Sequence, residues 1–224
     1  MKRARRMKRF VVVGLGNFGA SVAESLHALG HDVAALDRDP ERVDELARLV
    51  SRAGVGDGTD SHTLRRIGAE DADAAVISTG DDITASAMTA LLMRDLGVTE
   101  IYVKVVSHAH ARLIEKIGVR ETIFPERESG IRLGKRLASR SLLNYVQLGA
   151  DFSLQEMAVP SRWVGRSLRD LELRRRHGIS VVALHDILMD AIHPVPDPDA
   201  PLKDSDTLLV AGRDENLANA AGIQ

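Results

Sequence analysis

The stretch VVVGLGNFGASVAESLHALGHDVAALD, residues 11–37, constrains the fold more than any other part of the chain. A short apolar run over Phe10–Val13 predicts a buried strand, and Gly14, Gly16 and Gly19 follow it as G-x-G-x-x-G. The first glycine permits a tight turn, the second lets the backbone approach a phosphate, and the third lets the next helix pack close to the strand. Val22, Leu26 and Leu29 recur at helical spacing, so a helix is expected over Gly19–Leu29, with its N-terminal amides aimed at an anion. A second strand, Val33–Asp37, closes the unit. Asp37 lies 18 residues beyond Gly19, where a carboxylate can accept hydrogen bonds from both hydroxyls of a ribose. It disfavours a 2′-phosphate by charge repulsion, whereas the neighbouring Arg38 can hold one. The glycines alone would also suit a purely structural turn. Strand, loop, helix and acid together indicate a nucleotide.

The same rhythm continues to Pro125. Strands are expected at Arg52–Val55, Ala74–Ser78, Ile101–Lys104 and Thr122–Phe124, and helices at Glu41–Leu49, Ser61–Ile67, Ile83–Leu96 and Ala109–Ile117. Strand–helix alternation predicts an α/β fold with a Rossmann-like parallel sheet over residues 9–125. Asp57, Gly58 and Thr59 follow the third strand, and Ser78, Thr79 and Gly80 the fourth. Ligands of open parallel sheets sit beyond the carboxyl ends of the strands, so these segments are expected to face the crevice of the glycine loop. Residues 126–145 read as one longer helix with two apolar lines, Ile131, Ala138 and Leu142, and Leu133 with Leu137. That pattern suits a connecting and dimerisation helix over 126–150 that meets a second subunit, or a helix that simply caps the parallel sheet. Residues 151–224 read as a small α+β domain. FSLQEMAVP alternates like an edge strand, GRSLRDLEL reads as a short helix, GISVVALH as a buried strand and VPDPDAPLKDSD as a loop. TLLVAG reads as another strand and DENLANAA as a last helix. The basic N-terminus, residues 1–8, reads as a solvated leader.

Composition narrows the function classes. A formal net charge of -2 speaks against nucleic acid as the main partner. No cysteine is present, which excludes disulfides, thiol nucleophiles and cysteine-ligated zinc. No apolar run approaches the ~20 residues that span a bilayer. An enzyme of the dehydrogenase type needs a proton donor beside its cofactor. His62, His108, His110 and His177 are the candidates, and none has an evident carboxylate partner in the sequence. The reading is therefore not an enzyme.

The motifs VVVGLGNFGASVAESLHALGHDVAALDRD, GDGTD, LRRIGAEDADAAVISTGDD, IYVKVVSHAHARLIEKIG, IFPERESG, VGRSLRDLELRRRHGISVVAL and DTLLVAG occur in that order. With them the chain resembles the cytosolic RCK (KTN) regulatory subunits of Trk/Ktr potassium transporters, nearer the KtrA type than the NAD-preferring TrkA type. The resemblance spans essentially everything after the basic leader. It implies an RCK_N/TrkA-N domain, a connecting helix and an RCK_C/TrkA-C domain. It also implies homodimers assembled into an octameric ring, cytoplasmic and peripheral at the inner face of the membrane, bound to a separate potassium-translocating subunit. ATP or ADP would occupy the crevice, with NAD(H) as the other candidate. The site carried over comprises Gly14, Gly16, Asn17, Phe18, Gly19, Asp37, Arg38, Asp57, Gly58, Thr59, Ser78, Thr79, Gly80 and Lys104. Glu126 matches a family glutamate that helps to hold a divalent or monovalent cation near the terminal phosphate at the dimer interface. Some relatives bind cyclic di-AMP in the C-terminal domain. Asn17 departs from the family pattern, which carries arginine there. An asparagine offers no charge to a γ-phosphate, so the preferred nucleotide stays open. The reading is a nucleotide-sensing subunit gating potassium uptake. The alternatives are a small NAD(H)-dependent oxidoreductase and an NADH redox sensor.

Overall fold

The computed structural model describes residues 6–138 and 142–222. They form two compact units, which divide after Arg127.

The first unit is a six-stranded, wholly parallel sheet of order β3-β2-β1-β4-β5-β6. Its strands are β1 (Arg9–Val13), β2 (Asp32–Asp37), β3 (Arg52–Val55), β4 (Ala74–Ile77), β5 (Ile101–Lys104) and β6 (Glu121–Ile123). Helices α1 (Asn17–Ala28), α2 (Pro40–Leu46), α3 (Ser61–Ile67), α4 (Ile83–Asp95) and α5 (His108–Ile117) make the crossovers. Each expected strand and helix of this unit is present, with no end moved by more than three residues. Alternate residues of one strand feed two cores. Val11 and Val13 join Ala34, Leu36, Leu64, Ala90, Met93 and Ile114 on one face. Val12 joins Ala23, Val33, Ala35, Val43 and Leu46 on the other. Burial on both faces explains why these strands read as unbroken apolar runs. Gly30, Gly97 and Gly118 have φ of 85, 89 and 86°, the left-handed conformation expected just past their helices.

Arg9 follows the basic leader and starts the sheet. It opens β1, and its guanidinium bonds Asp32 and Asp71 while its amide donates to Asp73. Two acids at the start of the sheet give this cation fixed partners, and a third holds its backbone amide. Residues 1–5 lie outside the described residues.

Helix α6 (Pro125–Ala138) follows, and the single helix expected through 145 is corrected here. Residues 142–147 instead form β7 (Leu142–Gln147), paired antiparallel with β8 (Phe152–Ala158). The neighbouring strand pairs LLNYVQ along its length, with one irregularity between Leu142 and Asn144, and this tertiary pairing overrides the helical spacing that Leu142 continues. Residues 139–141 lie outside the described residues, as do the side chains of Ala138 and Leu142.

The second unit carries a five-stranded sheet of order β10-β9-β11-β8-β7, with every pairing antiparallel. It adds β9 (Ile179–Asp186), β10 (Ala191–Pro194) and β11 (Asp206–Arg213), and helices α7 (Leu168–Leu171), α8 (Leu173–His177) and α9 (Asp214–Ala221). Trp163, Leu171, Leu173, Ile179, Leu208, Val210 and Leu217 form its core. Two expectations are corrected. β8 lies inside the sheet, between β11 and β7, and is not an edge. Its alternation reports one covered face, which an interior antiparallel strand shares with an edge strand. β9 is buried on one face only, with Ser180 and Val182 exposed.

Candidate functional site

The glycine loop is fitted to the sheet by contacts that admit no side chain. Gly14 has φ +90°, and a Cβ there would stand 2.1 Å from the Ser78 carbonyl oxygen. A Cβ on Gly19 would stand 1.9 Å from the Gly14 carbonyl oxygen. Both are impossible approaches, so these two glycines are dictated by packing between the ends of β1 and β4 and the start of α1. Gly16 differs: the nearest atom to a Cβ there would be Arg42 Nη1, at 4.0 Å. The loop is thus packed at its first and third glycines and open at its second. It sits at the β1/β4 junction, where the strand order reverses, which is the ligand position of doubly wound sheets.

The caps of the helices separate α1 from its neighbours. Asp39 caps α2, Asp60 caps α3, Asp82 caps α4 and Ser107 caps α5, each accepting from a backbone amide of the first turn. Helix α1 starts at Asn17 behind Gly16, which offers no side-chain cap. Its first amides have no partner within the helix and face the open side of the loop. An anion there gains both their hydrogen bonds and the positive end of the helix dipole.

Asp37 ends β2 beside this loop. Its Oδ2 accepts from the Leu15 amide at 2.5 Å, and its Oδ1 accepts from the Asp39 amide at 2.9 Å. These bonds fix the carboxylate and tie it to the glycine loop. An ionised carboxylate has about four lone-pair positions, so it retains room for ribose hydroxyls.

Arg38 is neither free nor poised over the loop. Its Nη2 donates to Asp57 Oδ1 at 2.8 Å. The same oxygen accepts from the Thr59 amide and hydroxyl at 2.8 and 2.7 Å. The Thr59 hydroxyl first, with Arg38 beside it, holds the Asp57 carboxyl down to about 2. Gly58 packs this turn onto the sheet, since a Cβ would meet Val13 Cγ1 at 2.5 Å and Thr89 Oγ1 at 3.2 Å. The loops after β1, β2, β3 and β4 thereby converge. Asn17 is exposed at the start of α1. The Phe18 side chain is half-buried against the core cluster that includes Val12 and Val33. Thr79 donates its hydroxyl to the Asp82 carbonyl at 3.4 Å, and Gly80 has φ +68°.

Lys104, at the end of β5, forms a separate pair with Glu126 in the first turn of α6, Nζ to Oε1 at 2.5 Å. Its hydrogen bond lowers the Glu126 carboxyl below the usual glutamate range. Among the described residues, no hydrogen bond or ion pair joins this pair to the glycine loop, and no three metal-ligating side chains converge on a common point. A cation at Glu126 would need further donors from phosphate oxygens or another subunit.

The histidines weighed as proton donors occupy other surroundings. His110 is buried, which lowers its pKa, and its Nδ1 accepts from the Val106 amide at 3.4 Å. His108 packs on Phe124 and His177 on Trp163. The histidine that meets carboxylates is one the sequence did not single out. His185 bridges Glu156 and Asp190 on the second unit's sheet, and Thr207 donates to the same Glu156 oxygen. These residues come together only through the β8–β11–β9 pairing, so nothing in their spacing marks them. Arg42 was also missed. Its charge is ordinary for the exposed face of a short helix, and only the fold brings it to Gly16.

Fold and loop define a Rossmann-type nucleotide-binding domain joined to a small antiparallel C-terminal domain. The chain belongs to the TrkA family: the TrkA-N domain model matches residues 10–125 and the TrkA-C domain model residues 154–223. It is 37% identical over 177 residues to the Ktr system potassium uptake protein C of Bacillus subtilis, covering 79% of this chain and 80% of that protein. It is 30% identical over 213 residues to the Ktr system potassium uptake protein A of the same organism, covering 94% of each. The fold is shared with the GsuK channel bound to NAD at TM-score 0.62 and 18% identity, covering 97% of this chain and 39% of that one. GsuK bound to ADP aligns at TM-score 0.50 and 20% identity over 58% of this chain and 34% of that one. Among the described residues, no helix is long and apolar enough to cross a membrane.

Proposed function

We propose that this chain is a nucleotide-sensing regulatory subunit of a Ktr-type potassium-uptake system. ATP or ADP occupies the crevice, with NAD(H) as the competing ligand. One observation carries the reading: α1 is the uncapped helix among five, and it starts behind a glycine loop tied to Asp37. The loop amides would bind the phosphates, Asp37 would accept from the ribose, and the Asp57–Thr59 turn would wall the crevice. No proton donor is needed, since sensing requires only that the nucleotide bind two arrangements of the assembly unequally.

In this reading homodimers build an octameric ring on the cytoplasmic face of a potassium-translocating membrane subunit. Exposed Ile131, Leu133 and Leu137 along α6 support a second copy at that helix. Glu126, already ionised beside Lys104, would lend its charge to a cation near the terminal phosphate. Cyclic di-AMP in the C-terminal domain is carried by family likeness alone.

Asp37→Ala tests the site. It should weaken ADP, ATP and NADH alike by about 1.5–3 kcal/mol in calorimetry, the range for hydrogen bonds to a charged group. Unchanged ADP affinity would remove the crevice as the binding site. Mass spectrometry of the co-purifying nucleotide distinguishes the adenine-nucleotide reading from the NADH sensor. Turnover of NADH with a simple carbonyl substrate would replace both with the oxidoreductase.

A further inference from the structure

Arg42 faces the part of the site that the nucleotide reading leaves without a donor. Its Nη1 stands 3.8 Å from Asp37 Oδ2, and its Nε 3.5 Å from Asp39 Oδ2. Neither contact is a hydrogen bond, and among the described residues no acceptor takes a hydrogen bond from this guanidinium. The same Nη1 is the nearest atom to the open face of Gly16. A guanidinium with five donors in a fixed fork therefore lies between the open glycine and the ribose acid, held there by charge but not yet bonded. The other arginine of this region differs, because Arg38 is committed to Asp57 at 2.8 Å.

Asp37 can only accept and Arg42 can only donate. A ribose hydroxyl does both. The 3.8 Å between Nη1 and Oδ2 is too long for a direct bond. It is short enough for one hydroxyl oxygen to reach both atoms at roughly 2.8 Å. We propose that Arg42 is a specificity-determining residue: with Asp37 it forms a donor–acceptor pair that one ribose hydroxyl closes. The hydroxyl proton goes toward Asp37, and the hydroxyl oxygen accepts from Arg42. The same cation offsets Asp37 toward a 2′-phosphate, so Arg42 sets how strongly the site rejects one. This inference rests on the nucleotide reading of the crevice.

The test compares Arg42→Ala and Arg42→Gln with Asp37→Ala on the full-length protein, using ADP by calorimetry and NADH and NADPH by fluorescence titration. Arg42→Ala should weaken ADP and NADH by about tenfold, the loss of one charge-assisted hydrogen bond. It should weaken NADPH further, so that the NADPH-to-NADH ratio of dissociation constants rises. Asp37→Ala should weaken NADH and lower that ratio. Arg42→Gln, which keeps a neutral donor, should fall between wild type and Arg42→Ala for ADP. Ligand-free melting temperatures of both Arg42 variants should stay within ~2 °C of wild type, because the residue is half-exposed. ADP, NADH and NADPH affinities unchanged in Arg42→Ala, with ADP weakened in Asp37→Ala, would overturn the role of Arg42 and leave the site standing. Unchanged ADP affinity in both variants would overturn the site reading itself, and the role of Arg42 with it.

Discussion

The parallel sheet buries both of its faces, whereas the antiparallel sheet packs one face against helices and leaves polar and half-buried groups on the other. That difference decides where function can sit. Right-handed crossovers bring the loops after every parallel strand to one end of the sheet, so residues far apart in sequence converge without special pairing. Gly14, Asp37, Asp57 and Ser78 meet for this reason. In the second unit, side chains meet across strands, and partners depend on register. Asp206 stands opposite Asp186, and Thr207 opposite His185. A one-residue slip would dissolve such a cluster, yet it would leave the sequence pattern intact.

The sharpest test of this contrast uses one substitution in each unit. Gly19→Ala forces a Cβ to 1.9 Å from a backbone oxygen. It should destabilise the first unit by at least ~3 kcal/mol and abolish nucleotide binding. Leu208→Ala, fully buried in the second core, should cost about 2–5 kcal/mol and leave ADP affinity unchanged. Calorimetric unfolding of both variants reads this directly. Loss of ADP binding in Leu208→Ala would show that the two units are not energetically separable.

A smaller effect is expected at Asn17, exposed at the start of α1. Asn17→Arg should raise ATP affinity more than ADP affinity. An equal gain for both nucleotides would show that this position does not face a third phosphate.

The smallest effect concerns pH. Glu156 first, with Asp190, raises the His185 pKa above its ordinary 6.5. The charged histidine is the form that these carboxylates favour. Its contribution to the second unit is therefore complete below pH ~6.5 and is lost as pH rises through the folded-state value. Asp57 has the opposite sign. Held at about 2 instead of 3.8, it stabilises the first unit above pH ~4, and that contribution fades as pH falls toward 2. Melting curves should show the second unit's His185→Gln difference shrinking on the alkaline side. A pH-independent difference would break the assignment.

The first unit was legible because most of its signals are local. Two-faced burial makes each strand a continuous apolar run, glycines end three of its helices, and Gly19 is required by its contact with Gly14 within one β–α–β unit, although Gly14 itself is packed against Ser78 from the end of β4. The crevice residues follow from the rule that places ligands at strand ends. Arg38 was visible, but its partner was not, because Asp57 reaches it from the next strand's loop. The second unit was legible only in part. The strands β8, β9 and β11 and the helix α9 could be read. β7 and β10 could not, because each is made a strand by its neighbour and not by its own pattern.

The sequence alone determined the Rossmann-like order of elements, the glycine loop with its acid, and the family. Tertiary structure decided that β8 is interior and that the connecting helix gives way to a strand. It also decided that Arg38 serves Asp57, while Arg42 stands unbonded beside Asp37 and Gly16. The physical reason is range. Chain-local sterics and burial period are written in consecutive residues, whereas pairing, register and the reach of a long cation depend on which strand lies next.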